Sequence, residues 1–414
     1  MSFSQALSGL AAQQENIRVI SNNIANSKTV GFKSAGVSFA DVYTGASAVG
    51  MGVSVSGITQ NFAVGSLEQT GRALDMAIAG DGFYRLQQSN GEVIYSRNGE
   101  FNQDANGFIV NQTGQYLTGY PTNAEFGGDI LAGGMPEPIQ INTQDMPPNA
   151  TSMAAGTYNL DSSTVPGEDL SSATLLVGGT DEEIQYHYAF SFTVYDSLGN
   201  DHIVTSYFTR NTDTNPSAWD VKVSLDGQAE DTNPSFTLEF DENGSLMNTP
   251  SEFDLTFDAT TYGFPDANSL EITYDFNGSS QFNSESAQSA MTQDGYSSGS
   301  LIGLEVQEDG TITRIYSNQQ RDPAGQLVLV NFANPQGLQP DGDNAWRRTG
   351  VSGEPLIGIA GTGMFGGIVG ATLEGSNVDL TSQLVDLITA QRAYQANSSS
   401  ITTQDEMLQT VLNL

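Results

Sequence analysis

Cysteine is absent from this 414-residue chain, so disulfides cannot stabilise the fold and no thiolate is available for chemistry. Basic residues are also scarce, since 13 Lys and Arg stand against 48 Asp and Glu and give a formal net charge of −35. A surface this acidic repels nucleic acid and anionic membranes, so we expect no nucleic-acid partner.

Long apolar runs are missing as well. No stretch approaches the roughly 20 apolar residues that a membrane-spanning helix needs, and we expect no membrane insertion. The first positive side chain is Arg18, so no basic region precedes an apolar segment at the start of the chain. The sequence therefore predicts that any export occurs without a cleaved signal peptide.

The acidic residues are unevenly distributed. Residues 147–289 contain more than 20 Asp and Glu but only two basic side chains, Arg210 and Lys222. Residues 1–70 contain three of each sign and are close to neutral. Like-charge repulsion does not oppose contact between neutral segments of neighbouring copies. This distribution favours contact at the ends and solvent exposure in the middle.

Both ends carry apolar residues at helical spacing. The C-terminal repeat steps by four and three residues over nearly five heptads, which is typical of a coiled coil. We call the apolar members of the two repeats the seam: Phe3, Leu7, Leu10, Ile17, Ile24, Leu380, Leu384, Leu387, Tyr394, Ile401, Leu408 and Leu412. We expect the first helix to end near Asn26, and Asn377 or Asp379 to cap the second.

The seam also predicts how the ends behave. Two helices that meet only each other leave most of their surface exposed, and polar residues such as Gln391 and Asp405 interrupt the seam. The backbone entropy of ordering these segments then exceeds the gain from burial within one subunit. We predict that the helices are frayed in the free monomer, pair in a coiled-coil-like manner and become ordered in a homopolymer. Such contacts, repeated head to tail without closure, generate a helical filament.

Between the ends the apolar period changes to two. Residues 184–194 alternate without a break, which predicts one strand with His187 on its exposed polar face, followed by the turn DSLGN. Further strands are predicted at 219–225, 235–240, 252–257 and 270–276. The expected fold is mainly β with α-helical termini. We predict a terminal helical domain (1–26 and 376–414), a Gly/Ser-rich connector (27–72), an inner β domain (73–145 and 290–375) and an inserted acidic outer β domain of sandwich or barrel type (146–289).

Patterns that could indicate an enzyme lack their required context. GTGMFG (361–366) matches a dinucleotide fingerprint, but a strand-like segment follows it where a helix is needed. GYSSG (295–299) matches a nucleophile elbow, but both histidines, His187 and His202, precede it. The acidic turns lack the spacing of a calcium-binding EF-hand loop. We therefore predict no catalytic residue, no cofactor and no metal site. A secreted β-fold adhesin or hydrolase is retained as an alternative.

Four motifs carry a family resemblance. SNNIANSKTVGFKS (21–34), GRALDMAIAGDGFYRL (71–86), YSRNGEFNQDANGFIV (95–110) and the segment that begins LEGSNVDL (373–380) resemble the flagellar rod and hook family of bacteria. Within that family, VYDSLGNDHIVTSYF (194–208) and AGQLVLVNFANPQGL (324–338) are similar to the hook members. The motif residues singled out at the connector are Asn22, Asn23, Asn26, Gly31, Phe32 and Lys33.

The resemblance implies a non-enzymatic subunit that self-polymerises into a flexible tube and transmits torque from rod to filament. A subunit of the rigid distal rod is the alternative within the family. The resemblance also implies extracellular assembly after type III export. The implied partners are other copies of the chain, a hook cap, the distal rod protein, the hook–filament junction protein and the export apparatus. In the family the terminal helices line the core of the tube, a role that the resemblance transfers to the seam.

Overall fold

The structure, a computed structural model, describes residues 3–43, 50–211, 217–229, 235–248 and 250–412. Two long helices lie at the ends of the chain, α1 (Phe3–Ala25) and α2 (Leu380–Leu412), and the described segments between them are mainly β. The chain divides into two compact units. Unit 1 comprises Met1–Thr143, Ile302–Ile315 and Arg321–Leu414, and unit 2 comprises Gln144–Leu301 and Tyr316–Gln320. Unit 2 is thus inserted into unit 1 in the sequence.

The strands of the first third of the chain are β1 (Ala35–Asp41), β2 (Val53–Gln60), β3 (Leu67–Gln69), β4 (Met76–Ala79), β5 (Phe83–Gln87), β6 (Val93–Ser96), β7 (Phe101–Gln103), β8 (Ile109–Asn111), β9 (Tyr116–Tyr120) and β10 (Glu137–Pro138). The middle strands are β11 (Met153–Asn159), β12 (Ser171–Val177), β13 (Thr180–Tyr186), β14 (Tyr188–Tyr195), β15 (Asp201–Asn211), β16 (Ala218–Leu225), β17 (Gln228–Ala229), β18 (Ser235–Glu239), β19 (Glu252–Phe257), β20 (Leu270–Asp275) and β21 (Ala287–Gln293). The last strands are β22 (Leu301–Val306), β23 (Thr311–Tyr316), β24 (Arg321–Asn331), β25 (Gln339–Gly342), β26 (Ala345–Arg347), β27 (Leu356–Ile359), β28 (Gly367–Gly370) and β29 (Thr372–Glu374).

Unit 1 is built on one large sheet with the order β22-β23-β24-β9-β5-β6-β26-β25. Strand β24 is its central element, because it pairs antiparallel with β23, β9, β5 and β27. The strand is buried over almost its whole length, as expected for its apolar run QLVLVN. Two short antiparallel ladders join the segment before α2 to the region where the connector ends. Strand β29 pairs with β3 inside the connector, and β28 pairs with β4 just after it.

The predicted connector contains regular structure. Strands β1 and β2 form an antiparallel hairpin, with a bulge after Ser38 that places Phe39 opposite Val55. The sequence reading assigned no secondary structure to this segment, because its glycines and serines are typical of a loop. Part of the connector, residues 44–49, lies outside the described residues.

Unit 2 is a β-sandwich. One sheet has the order β19-β20-β11-β21, and the other has the order β13-β12-β17-β16-β15-β14, with β18 pairing β16. Apolar side chains from both sheets form a single core that includes Tyr158, Phe208, Trp219 and Tyr274. The strands predicted at 219–225, 235–240, 252–257 and 270–276 are confirmed to within a residue at each end.

The single strand predicted over residues 184–194 is wrong. The segment forms two strands, β13 and β14, which lie at opposite ends of the sheet order and are separated at His187. The alternation of apolar and polar residue types in the sequence continues through the break, so the period alone could not reveal it.

The prediction that His187 lies on an exposed polar face is also wrong. His187 is 8% exposed rather than a surface residue, and its ring lies 5.9 Å from the Trp219 ring. Its Nδ1 accepts a hydrogen bond from the backbone N–H of Arg210 at 3.1 Å, and its Nε2 lies 3.3 Å from the carbonyl of Val165. A neutral imidazole satisfies both contacts, with Nε2–H donating. Burial lowers the pKa of His187, because the charged form would lose its hydration.

Candidate functional site: the terminal helices and their junction with the sheet

The terminal helices pack against each other in antiparallel directions. The side chain of Asn23 on α1 donates to Oε1 of Gln383 on α2 at 2.9 Å, and Gly9 lies against Asn397. A Cβ at Gly9 would come within 2.8 Å of the Asn397 side-chain amide, so a larger residue here would force that side chain to shift. The buried residues of α1 are mostly small: Ala6, Gly9, Ala12, Val19, Ile20 and Asn23. On α2, Ala390 is buried.

This contact covers the seam only in part. Phe3 and Leu7 are each 53% exposed, Leu384 is 44% exposed and Leu408 is 59% exposed. Leu380 and Tyr394 are also exposed, whereas Leu10, Ile17, Ile24, Leu387 and Ile401 are half-buried. Leu412 ends α2, and its side chain lies outside the described residues. The helices therefore pair within the subunit and leave six of the eleven described seam residues exposed.

Three apolar residues of α2 extend this exposed surface beyond the heptad positions. Val385, Ile388 and Met407 are each more than half exposed. Sequence reasoning missed them because a strict heptad selects only one narrow stripe. The signal that could have found them is a wider apolar face, since Leu384 with Val385 and Leu387 with Ile388 form adjacent pairs.

The start of α2 is fixed by two polar side chains. Asp379 caps the helix, because its Oδ1 accepts from the backbone N–H groups of Thr381 at 2.9 Å and Ser382 at 3.3 Å. Asn377, the other predicted cap, instead links α2 to the connector. Its Oδ1 accepts from the N–H of Ser34 at 2.8 Å, and its Nδ2 donates to the carbonyl of Asn61 at 2.7 Å.

The connector hairpin is attached to the start of α1. Gln5 donates to the carbonyl of Gly50 at 2.7 Å, and the Ser8 hydroxyl accepts from the N–H of Val53 at 3.3 Å. The hairpin presents exposed apolar residues of its own, among them Phe39 and its cross-strand partner Val55. The exposed apolar surface is therefore not confined to the helices.

The predicted connector residues end α1 and turn the chain. Asn26 donates from its backbone and its side chain to the carbonyl of Asn22, at 3.1 and 2.9 Å. Asn23 is buried and exchanges two hydrogen bonds with the backbone of Ala35, at 2.8 and 3.0 Å, which joins α1 to β1. Phe32 is half-buried, and its carbonyl accepts from the N–H of Asn377 at 3.4 Å.

Gly31 is required at a close approach of two chain segments. Its φ of +69° belongs to the left-handed region, which disfavours other residues. A Cβ at this position would lie 2.7 Å from backbone atoms of Arg97 and Asn98. Its N–H donates to the carbonyl of Glu374 at 2.8 Å. Gly31 thus brings the end of the first motif against the third and fourth motifs.

At this junction three charged side chains form a buried ion cluster: Lys33, Arg97 and Glu374. Lys33 Nζ donates to Glu374 Oε1 at 2.6 Å, and Arg97 Nη1 lies 3.3 Å from Glu374 Oε2. Each of the three side chains is at most 1% exposed. The cluster therefore holds two cations around one carboxylate, away from water.

Backbone groups and an aromatic ring complete the cluster. Lys33 donates to the carbonyl of Ala63 at 2.8 Å, and Arg97 donates to that of Gly80 at 2.8 Å while lying over the Phe83 ring. Burial and the neighbouring Arg97 charge lower the pKa of Lys33, whereas Glu374 opposes this shift.

The four sequence motifs meet at this cluster. The first supplies Lys33, the second Gly80 and Phe83, the third Arg97 and the fourth Glu374. Sequence reasoning chose Lys33 but missed Arg97 and Glu374. The available signal for Arg97 was that it is the one basic residue of its motif (95–110), in a chain with only 13 basic residues. No such signal marked Glu374, because Asp379 lies in the same motif. The cluster lies where the chain leaves α1 and approaches α2, so it fixes both helices to the sheet.

The two sequence patterns that resemble catalytic or cofactor-binding motifs lie next to strands, without the helix that either motif requires. GTGMFG (361–366) forms the turn between β27 and β28, and β22 follows GYSSG (295–299). Within the described ranges, no group of three or more His, Cys, Asp or Glu side chains is arranged to hold a metal ion. Of the helices in the described part, none is both long and apolar enough to cross a membrane.

Comparison with known families matches four segments of the chain. Residues 4–33 match "Flagella basal body rod protein", and residues 77–157 match "Flagellar hook protein FlgE/F/G D1 domain". Residues 159–296 match "Flagellar basal body protein FlaE D2 domain", and residues 370–414 match "Flagellar basal body rod FlgEFG protein C-terminal". The fold and its two terminal helices therefore define an axial protein of the bacterial flagellum.

Full-length relatives narrow this class. The chain is 44% identical over 416 residues to the flagellar hook protein FlgE of Salmonella typhimurium and 43% identical over 418 residues to that of Escherichia coli K12, with all of each chain covered. The chain belongs to the flagellar hook protein family. It is a structural subunit of the hook in bacterial motility, and the distal-rod alternative is not favoured.

A solved structure shows the same fold at lower identity. The crystal structure of Helicobacter pylori flagellar hook protein FlgE2 is similar with a TM-score of 0.53 at 16% identity. The match covers 72% of this chain and 98% of that one. It supports the mainly β architecture of the matched part.

Proposed function

We propose that copies of this protein polymerise into the tube of the hook through the seam of α1 and α2. The observation that carries the proposal is the exposure of six of the eleven described seam residues in a subunit whose helices already pair with each other. An apolar stripe on a helix is stable when another surface covers it. Neighbouring copies supply that surface with the same seam, and a head-to-tail repeat of the contact produces a helical tube.

Each part of the chain then has a mechanical role. The terminal domain (1–26 and 376–414) forms the stiff core, and the connector (27–72) extends from it with an exposed apolar hairpin. The inner β domain (73–145 and 290–375) fixes the helices through the ion cluster, and the outer domain (146–289) carries the acidic surface. Weak contacts between like-charged outer domains let neighbouring subunits slide as the rotating tube bends.

The proposed location is outside the cell, in the hook of the flagellum, after type III export without a cleaved signal. The proposed partners are other copies of the chain first, and then the hook cap, the distal rod protein, the hook–filament junction protein and the export apparatus. The relatives' names, the neutral N-terminal segment and the acidic middle support this placement.

The test is assembly of purified protein that carries Leu384→Gln and Leu408→Gln together. Both side chains are exposed in the subunit, so we expect little change in monomer stability. Removing two apolar contacts per subunit should raise the concentration needed for polymerisation by about tenfold or more. Sedimentation and electron microscopy measure the polymer.

The matched control is Gln395→Ala, which changes an exposed polar residue on the same helix. We expect this variant to polymerise like the parent chain. Polymerisation of the double variant at the parent's concentration would show that the seam is not the assembly surface.

A further inference from the structure

Five Asn–Gly dipeptides occur in the chain, at Asn90, Asn98, Asn106, Asn243 and Asn277. In such a pair the backbone nitrogen of the glycine can attack the carboxamide carbon of the asparagine, because no Cβ on the glycine hinders the approach. The attack requires a glycine N–H that is not engaged in a hydrogen bond, and a side chain that can move. The sequence alone gives all five sites the same local chemistry.

Three of the five sites are protected by the turns that contain them. The N–H of Gly91 donates to the carbonyl of Gln88 at 2.9 Å, and that of Gly107 donates to Asp104 at 3.1 Å. The N–H of Gly244 donates to the carbonyl of Asp241 at 3.0 Å. In each case the glycine is the fourth residue of the turn, so the attacking nitrogen is held by the closing hydrogen bond.

The fourth site is protected by packing. Gly99 is buried, and a Cβ there would lie 1.6 Å from the carbonyl oxygen of Met76. The Asn98 side chain is held as well, because its Oδ1 accepts from the N–H of Glu100 at 3.0 Å. This pair lies directly beside Arg97 of the ion cluster and cannot rearrange without disturbing it.

The fifth site differs from the other four. The closing hydrogen bond of its turn runs from the N–H of Ser279 to the carbonyl of Phe276 at 3.1 Å, so Gly278 occupies the third position, with φ +80°. Among the described residues the Gly278 N–H has no acceptor and the Asn277 carboxamide has no hydrogen-bond partner. Both residues are exposed.

We propose that Asn277 is a site of spontaneous deamidation in the folded protein. The Gly278 nitrogen forms a bond to Cγ of Asn277, the Cγ–Nδ2 bond breaks, and the amide proton leaves with Nδ2 as ammonia. Water then opens the resulting succinimide at either carbonyl and yields aspartate or isoaspartate at position 277. No oxidant or reductant is needed, because both steps exchange one acyl substituent for another.

The modification affects the sandwich of unit 2. A new carboxylate appears next to Asp275, whose Oδ1 already accepts from the N–H of Asn277 at 2.8 Å. Isoaspartate also lengthens the backbone between Phe276 and Ser279, which are both buried. The adjacent Ser280 pairs with the backbone of Tyr158 and Leu160 at 2.8 and 2.9 Å, so the longer turn strains this pairing. The modified form should unfold more readily than the original.

The experiment incubates the purified full-length chain at mildly alkaline pH and follows each Asn–Gly peptide by mass spectrometry. We expect the product at Asn277 to form about tenfold faster than at any other site. The other four sites must open locally before they can react, and this opening costs free energy. In denaturing urea the five sites should react at similar rates. Deamidation at another site as fast as at Asn277 in the folded chain would overturn the proposal, and so would protection of Asn277 on folding.

Two variants complete the design. Asn277→Gln removes the five-membered ring closure while keeping the carboxamide, so most of the ammonia released by the folded chain should disappear. Asn243→Gln is the matched control in a protected turn, and it should leave the release of ammonia unchanged. Equal effects of the two variants would contradict the assignment.

Discussion

Glu374 is the residue on which the junction depends most strongly, since it is the only carboxylate of the buried ion cluster. Lys33 and Arg97 both reach it, and all three side chains are almost completely removed from water. A buried ion pair contributes little to folding stability compared with apolar residues of the same size. Removal of one partner, however, leaves an uncompensated buried charge, which is strongly destabilising. The cluster is therefore best tested through its carboxylate.

Glu374→Gln should destabilise unit 1 by about 3–5 kcal/mol, because two buried cations then lack a counter-charge. Urea unfolding of the purified subunit measures the loss. The control is Glu354→Gln, which breaks the exposed pair with Arg348 and should cost less than about 1 kcal/mol. Equal stability of the two variants would show that the cluster does not hold the unit together.

His187 provides a second prediction, which concerns pH. Burial lowers its pKa in the folded state, whereas the unfolded chain has the ordinary value of about 6.5. The unfolded state therefore binds the proton more readily, and the stability that His187 contributes is present above about pH 6.5 and is lost as the pH falls below it.

His187→Gln should remove this component of acid sensitivity in unit 2. We expect the urea midpoint of the parent to fall more than that of the variant between about pH 7.5 and about pH 5.5. Hydrogen exchange of peptides from 201–225 isolates the response of unit 2. A pH dependence identical in the two proteins would contradict the neutral, buried assignment.

At the scale of elements, the helices α1 and α2 illustrate how one helix can use two faces. One face of α1 is buried inside the subunit, whereas six of the eleven described heptad residues of the two helices remain on the surface. Apolar area that stays exposed contributes nothing to stability, so the pair gains only part of its possible stabilisation within one subunit. This is consistent with the expectation that neighbouring copies order the ends.

We predict that both helices exchange their amide hydrogens rapidly in the monomer and slowly in the polymer. Circular dichroism should show an increase in helix content on polymerisation, because the nucleation and ordering costs are offset by contacts with neighbours. The sheet of unit 1 serves as the internal control and should be protected in both states. Firm protection of α1 and α2 in the dilute monomer would reject this prediction.

For the whole molecule, the net charge of −35 is the dominant feature. Unit 2 carries exposed clusters such as Asp181, Glu182 and Glu183 on the edge strand β13. Charged edge strands resist pairing with other strands, and like charges keep neighbouring surfaces from adhering. This surface is suited to contacts that slide.

Neutralising about ten exposed carboxylates of 147–289 to the corresponding amides should change the curvature or the stiffness of assembled hooks, because repulsion between outer domains is lost. Shape fluctuations of isolated hooks in electron micrographs measure stiffness. High salt should mimic the substitution in the parent, since the screening length falls from about 10 Å at 0.1 M to about 3 Å at 1 M. Unchanged stiffness in both experiments would count against sliding outer contacts.

The sequence by itself determined the features that depend on near neighbours along the chain. The periods of 3.5 and 2 predicted α1, α2 and four strands of the sandwich, β16, β18, β19 and β20, and the scarcity of basic residues limited the possible partners. The four motifs also pointed to the family that the full-length relatives confirm. The same local signals could not distinguish the two faces of α1, because both repeat at helical spacing.

Only the tertiary structure decided which distant residues meet. Lys33, Arg97 and Glu374 come together through sheet pairings between segments hundreds of residues apart, and no local pattern encodes that approach. The burial of His187 and the division of residues 184–194 into two strands likewise follow from sheet order, which alternation does not specify. The periodicity of a segment indicates which of its faces is apolar, whereas the sheet topology determines which other segments pack against that face.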